Sequence, residues 1–178
     1  WIPTFYGLFR YDGYEVRTYK SNLYTPGLLV NNNVLCVEED YSHRLWIGTH
    51  EGLCMLDKRT GKMKKLQLDG VSKQRLNEIH VTKENRVYLG YIRGMAYYDE
   101  MQDTLALMTR KNCRGDVPES VNIQTLFEDV NGDLLIGTWK DGLYRYCIKE
   151  NIFLHYPPLD EENSVLALFQ DSRGVMWI

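Results

Sequence analysis

A segment that returns every forty-odd residues, the same residue types at the same columns of each return, and an aromatic content of 12% that includes thirteen tyrosines together predict an all-β fold. The form they predict is a β-propeller of about four four-stranded antiparallel blades. The recurring piece reads Leu45-Trp46-Ile47-Gly48-Thr49, Val87-Tyr88-Leu89-Gly90-Tyr91 and Leu134-Leu135-Ile136-Gly137-Thr138. The chain opens on it at Trp1-Ile2-Pro3-Thr4 and stops in it at Met176-Trp177-Ile178. The equivalent positions Trp1, Trp46, Tyr88, Leu135 and Trp177 lie 45, 42, 47 and 42 residues apart. A generic β-sandwich also has many short strands, but does not predict matching columns.

Taken in order, each unit begins with an apolar strand, expected to be the inner one. Val34, Leu76, Ile123 and Val165 form one of its columns, and Val37, Ile79, Leu126 and Leu168 a second. A tight turn follows, with Asp40, Thr82, Asp129 and Asp171 at its head. Asp can bond the backbone amides ahead of it. Three residues on stand His43, Asn85, Gly132 and Gly174, types that tolerate positive φ. The Trp-Ile-Gly strand is second, and its glycine (Gly48, Gly90, Gly137) admits close approach by a neighbour. A short loop then ends in Gly7, Gly52, Gly94 or Gly142 and opens the third strand. More polar stretches, Glu15–Tyr19, Lys62–Leu68, Thr104–Met108 and Ile152–Tyr156, suit a solvent-facing outer strand. One such sheet cannot cover both of its faces, so neighbouring units must stack. The approximate units within the single domain 1–178 are 1–30, 31–72, 73–118, 119–160 and a partial 161–178. Because the chain begins and ends at one column, we expect it to be a fragment of a larger propeller. Pairing of two chains into one ring is an alternative.

Composition narrows the function. With 24 acidic and 21 basic side chains, the net charge of −3 gives no basic field for nucleic acid or an anionic membrane. No apolar run approaches the roughly 20 residues of a membrane span, and no signal peptide is visible. The cysteines at 36, 54, 113 and 147 lack C-x-x-C spacing, so no metal or cofactor is implied. Three of them fall in predicted strands as apolar filler. His43, His50, His80 and His155 occupy unrelated places in the repeat. No catalytic residue is assigned.

Glu39-Asp40 through Asp57, Glu128-Asp129 through Tyr146 and Gln170-Asp171 through Ile178 make the repeat similar to the two-component regulator propeller repeat, with Thr82 through Asp99 a degenerate copy. In that family, pairs of seven-bladed propellers form periplasmic sensors of hybrid two-component systems typical of gut Bacteroidetes, and many respond to glycans. The resemblance implies a ligand-sensing, non-catalytic segment of a sensor histidine kinase. Its implied partners are an oligosaccharide, the remaining blades and domains of the parent, and a second copy.

The loops between second and third strands break the repeat while their flanks keep it, so they are the candidate ligand-binding residues. They are Phe5-Tyr6, His50-Glu51, the Ile92-Arg93 pair (through Arg93) and Trp139-Lys140-Asp141. Rings beside charges suit a sugar, with Trp139 foremost; capping of a neighbouring blade is the alternative role for that ring. Blade connectors are expected to add Arg75, Arg114 and Asn163 on the same face. Docking of another domain or a second copy is a competing reading, and a propeller lyase or hydrolase a further one.

Overall fold

The computed structural model describes residues 1–22, 24, 28–68, 74–158 and 164–178. The regular elements among them are strands, grouped in separate twisted sheets. Strands β1 (Ile2–Thr4), β2 (Gly7–Tyr11) and β3 (Val16–Tyr19) form the first. The second blade holds β4 (Val34–Glu39), β5 (Arg44–Thr49), β6 (Gly52–Asp57) and β7 (Met63–Leu66). The third holds β8 (Leu76–Val81), β9 (Val87–Tyr91), β10 (Gly94–Asp99) and β11 (Thr104–Leu107). Next come β12 (Arg114–Gly115), β13 (Ile123–Glu128), β14 (Leu134–Thr138), β15 (Leu143–Cys147) and β16 (Ile152–Tyr156). The last pair is β17 (Phe169–Gln170) and β18 (Met176–Trp177). Within each blade, sequential strands pair antiparallel in the order inner, second, third, outer. This is the all-β propeller architecture that the periodicity predicts.

The turn column explains where the inner strand stops. The Asp40 carboxylate accepts the Ser42 and Arg44 amides at 2.9 Å each. Asp129 and Asp171 do the same in their own turns. The fourth residue takes positive φ in every copy: 62° at His43, 64° at Asn85, 82° at Gly132 and 83° at Gly174. The same Asp also holds the tryptophan of the repeat. Trp46 Nε1 donates to Asp40 at 2.9 Å, and Trp177 Nε1 to Asp171 at 3.4 Å. Where Trp gives way to Tyr88, Asp gives way to Thr82, whose hydroxyl accepts the Arg86 amide.

The glycine of the second strand is a socket. A Cβ at Gly48 would stand 2.9 Å from Leu76 Cδ2, at Gly90 2.6 Å from Ile123 Cγ2, and at Gly137 2.6 Å from Val165 Cγ1. Gly48 and Gly90 therefore receive the first residue of the next blade's inner strand, and Gly137 receives Val165, which precedes β17. A register shift at the start of β4, β8 and β13 recurs in step with this contact. Leu76 and Ile123 are wholly buried, and burying such a side chain contributes about 1.5–3 kcal/mol.

The core lies between blades. One cluster joins blades two and three around Trp46, Leu76 and Leu89. Another joins blades three and four around Tyr88, Ile123 and Phe153. Cys36, Cys54, Cys113 and Cys147 are free thiols. Arg114 departs from expectation. It does not stand with the blade connectors on the loop face; with Gly115 it adds a short parallel strand to the outer edge of blade four, paired with Ile152 and Phe153. The Phe153 and Asn151 carbonyls draw in the Asp116 and Arg114 amides, a backbone requirement that side-chain patterning does not show. Asn163 lies outside the described residues.

Candidate functional site

The loops between second and third strands share a face with the residues that lead into the inner strands. The His50, Ile92 and Trp139 amides donate to the Asn33, Arg75 and Asn122 carbonyls at 3.0, 3.3 and 2.9 Å. Contacts to the following blade reinforce this, from Gly94 N to Val121 O at 2.7 Å and from Val165 N to Thr138 O at 2.9 Å. Each loop is closed by a threonine or a glycine. Thr4, Thr49 and Thr138 hydroxyls donate to the carbonyls of Gly7, Gly52 and Gly142 at 2.7–2.8 Å, and those glycines take positive φ, as does Gly94.

On this frame Phe5 and Tyr6 are 73% and 80% exposed, and Trp139 is 48% exposed. His50 and Arg93 are exposed, and Glu51 is half-buried. Lys140 is held at φ 64° with its amide on Ser164 Oγ at 3.1 Å. Asp141 accepts the Tyr144 hydroxyl at 2.6 Å, and the Asp141 carbonyl meets His155 Nε2 at 2.8 Å. The His155 ring stacks on Tyr144 with centroids 4.2 Å apart. Burial and this carboxylate push the Tyr144 phenol up, so it stays a donor. The fourth loop thus presents an aromatic face, an ammonium and an anchored carboxylate in three consecutive residues.

A second concavity, which the repeat columns do not announce, lies on the opposite face, beside the Asp turns. It is a half-open cleft of about 750 Å³, with Tyr88, Tyr97 and Tyr146 along its walls and Arg44, the exposed Arg86, Glu84, Asp99 and Glu100 among its other lining residues. Its asparagines are engaged. Asn85 bonds Ser42 and the Tyr41 amide; Asn151 accepts from Tyr146 and donates to the Asn112 carbonyl. Elsewhere, Asp133, Cys147 and Glu150 bring ligand atoms within 4.8 Å of one another. Asp133 is already paired with Arg145 at 2.8 Å. Desolvation and Asp133 push the Cys147 thiol up, away from the thiolate a metal requires.

Repeated four-stranded sheets stacked through their faces define this chain as propeller blades. Residues 28–51 match the family described as Two component regulator propeller, in agreement with the residues that carry the resemblance. Among solved structures, the chain is similar to the extracellular domain of a putative hybrid two component system from B. thetaiotaomicron, at 22% identity and a TM-score of 0.78 over 99% of this chain and 24% of that one. It is also similar to PorZ, a surface component of the type-IX secretion system of Porphyromonas gingivalis, at 13% identity and TM-score 0.71, over 97% and 28% of the two chains. Virginiamycin B lyase from Staphylococcus aureus shares the fold at 9% identity and TM-score 0.68, over 91% and 57%. These identities speak to fold. The chain spans about a quarter of the length of the extracellular domains it matches. No curated protein matches it in sequence. Among the described residues, no helix is long and apolar enough to cross a membrane.

Proposed function

We propose that this chain is a ligand-sensing, extracytoplasmic segment of a two-component sensor, non-catalytic itself, which takes a glycan on its loop face. The observation that carries the reading is the setting of Trp139. The ring is half exposed on a loop whose backbone is pinned at Asn122 and Ser164, with Lys140 and the anchored Asp141 beside it. A ring held in place loses little entropy when a sugar stacks on it. The similarity to extracellular two-component domains supports a periplasmic setting, with the histidine kinase and membrane helix in other parts of the parent protein.

Thermal unfolding with a panel of plant and host oligosaccharides tests this. One ligand is expected to raise Tm by a few degrees through linkage. Trp139→Ala should abolish the rise while leaving ligand-free stability within about 0.5 kcal/mol, as for other surface changes. Retention of the full shift by the variant would remove the loop face from the reading. A concentration-dependent mass lost on the same substitution would assign that face to docking instead, for which exposed Phe5 and Tyr6 would serve.

A further inference from the structure

The interface between blades two and three and that between blades three and four are built from the same columns, and one is closed where the other is open. At the first, Arg44 lies over the rings of both Trp46 and Tyr98, 5.4 Å from each centroid. Two carboxylates hold it there, Asp40 at 2.6 Å and Glu100 at 3.1 Å. At the second, the corresponding positions are Arg86, Tyr88 and Tyr146, with the rings edge-on at 6.1 Å. Thr82 replaces Asp40 and Ile148 replaces Glu100. Neither position carries a carboxylate, and Arg86, exposed at the surface, meets the Tyr88 hydroxyl and no acid partner among the described residues. The cleft opens there, with Tyr97 half-buried and Tyr88 and Tyr146 buried in its walls.

We infer that this cleft is a second ligand site, separate from the loop face, which takes a carboxylate-bearing saccharide whose acid group pairs with Arg86. Three features support that class. The volume falls in the range of small-molecule sites, roughly 300–1,000 Å³. The tyrosine walls suit the apolar face of a sugar ring. A guanidinium stripped of both internal partners is a fork-shaped receptor for a carboxylate. The lining asparagines are already bonded, Arg44 is held by Asp40 and Glu100, and Glu84, Asp99 and Glu100 would repel an acid placed beside them, so the acid group has to seat at Arg86 with the sugar ring against the tyrosines. The inference stands apart from the loop-face reading, because the two sites lie on opposite faces.

Isothermal titration of the purified chain with glucuronate, galacturonate and their disaccharides with glucose, each set against its neutral counterpart, is the test. At least one acid should bind saturably and at least tenfold more tightly than the neutral sugar. Arg86→Ala should weaken it at least tenfold. Ile148→Glu, which returns an internal carboxylate while keeping Arg86, should do the same, and Tyr97→Ala should weaken acid and neutral sugar alike. Trp139→Ala should leave this binding unchanged. The inference is overturned if none of the acids binds, if neutral sugars bind as well as acids, or if Arg86→Ala binds as the parent does.

Discussion

Blade two meets blade three through a saturated assembly: Asp40 holds Trp46, Arg44 covers Trp46 and Tyr98, and Glu100 fixes the outer end of Arg44. Blade three meets blade four with the same scaffold but a thinner set of side chains, and a cleft takes the place of the missing contacts. The backbone is alike in both, since the turns share their positive φ and the sheets their strand order. The repeat determines the blade, while a few columns decide whether the seam between blades is filled.

Trp46 should then be the costliest single side chain of the array. It is wholly buried, and Trp46→Ala leaves Asp40 and Arg44 without their ring. A loss of about 4 kcal/mol is expected in urea unfolding, against about 2–3 kcal/mol for Tyr88→Ala beside the cleft. Equal losses would mean that the two seams are energetically the same. Gly90→Ala comes next. Its new methyl would press on Ile123 at 2.6 Å, costing about 1–3 kcal/mol by overpacking, read as a lower urea midpoint with unchanged slope.

Acidity should act on the two seams in opposite senses. Burial raises Glu38 on β4 to about 7, and burial with the Glu38 charge raises Glu78 on β8 to about 7. Both favour the neutral acid when folded. Their contribution is complete below the unfolded-chain value near 4.5 and is lost as pH climbs through 7. His80, facing Glu128 at 3.9 Å, is depressed by burial, so its contribution is present above about pH 6.5 and fades as pH falls. The unfolding free energy, followed from pH 5 to 9, should fall by on the order of 1 kcal/mol on the alkaline side. Glu38→Gln with Glu78→Gln should flatten that arm alone. The smallest effect belongs to Thr82→Asp with Ile148→Glu, which copies the first seam onto the second. A gain of about 0.5–1 kcal/mol is expected in the same assay, and no gain would show that the rings, rather than the charges, fill the first seam.

Much of this was open to reading beforehand. The apolar columns, the Asp turn with His43 and Asn85 in its left-handed position, and the glycines of the second strand each follow from local chemistry. The cleft was not readable in that way. It depends on Thr82 and Ile148, residues 66 positions apart in the chain, becoming jointly absent carboxylates around one guanidinium. Each departure by itself resembles ordinary drift within a repeat. Strand β12 leaves no mark in the residue pattern, because its pairing uses backbone groups of Arg114 and Gly115. The exposure of Trp139 did agree with a loop that breaks the repeat, whereas the tethering of Asp141 by Tyr144 needed the fold to bring two columns together.

The glycine sockets carry a consequence for biosynthesis. Each is filled by a residue roughly thirty positions nearer the C-terminus, at a translation rate of about 5–20 residues per second a delay of a few seconds. During that interval the newest sheet emerges from the ribosome with a bare apolar notch. Any pause in synthesis before the next inner strand is added would prolong that exposure.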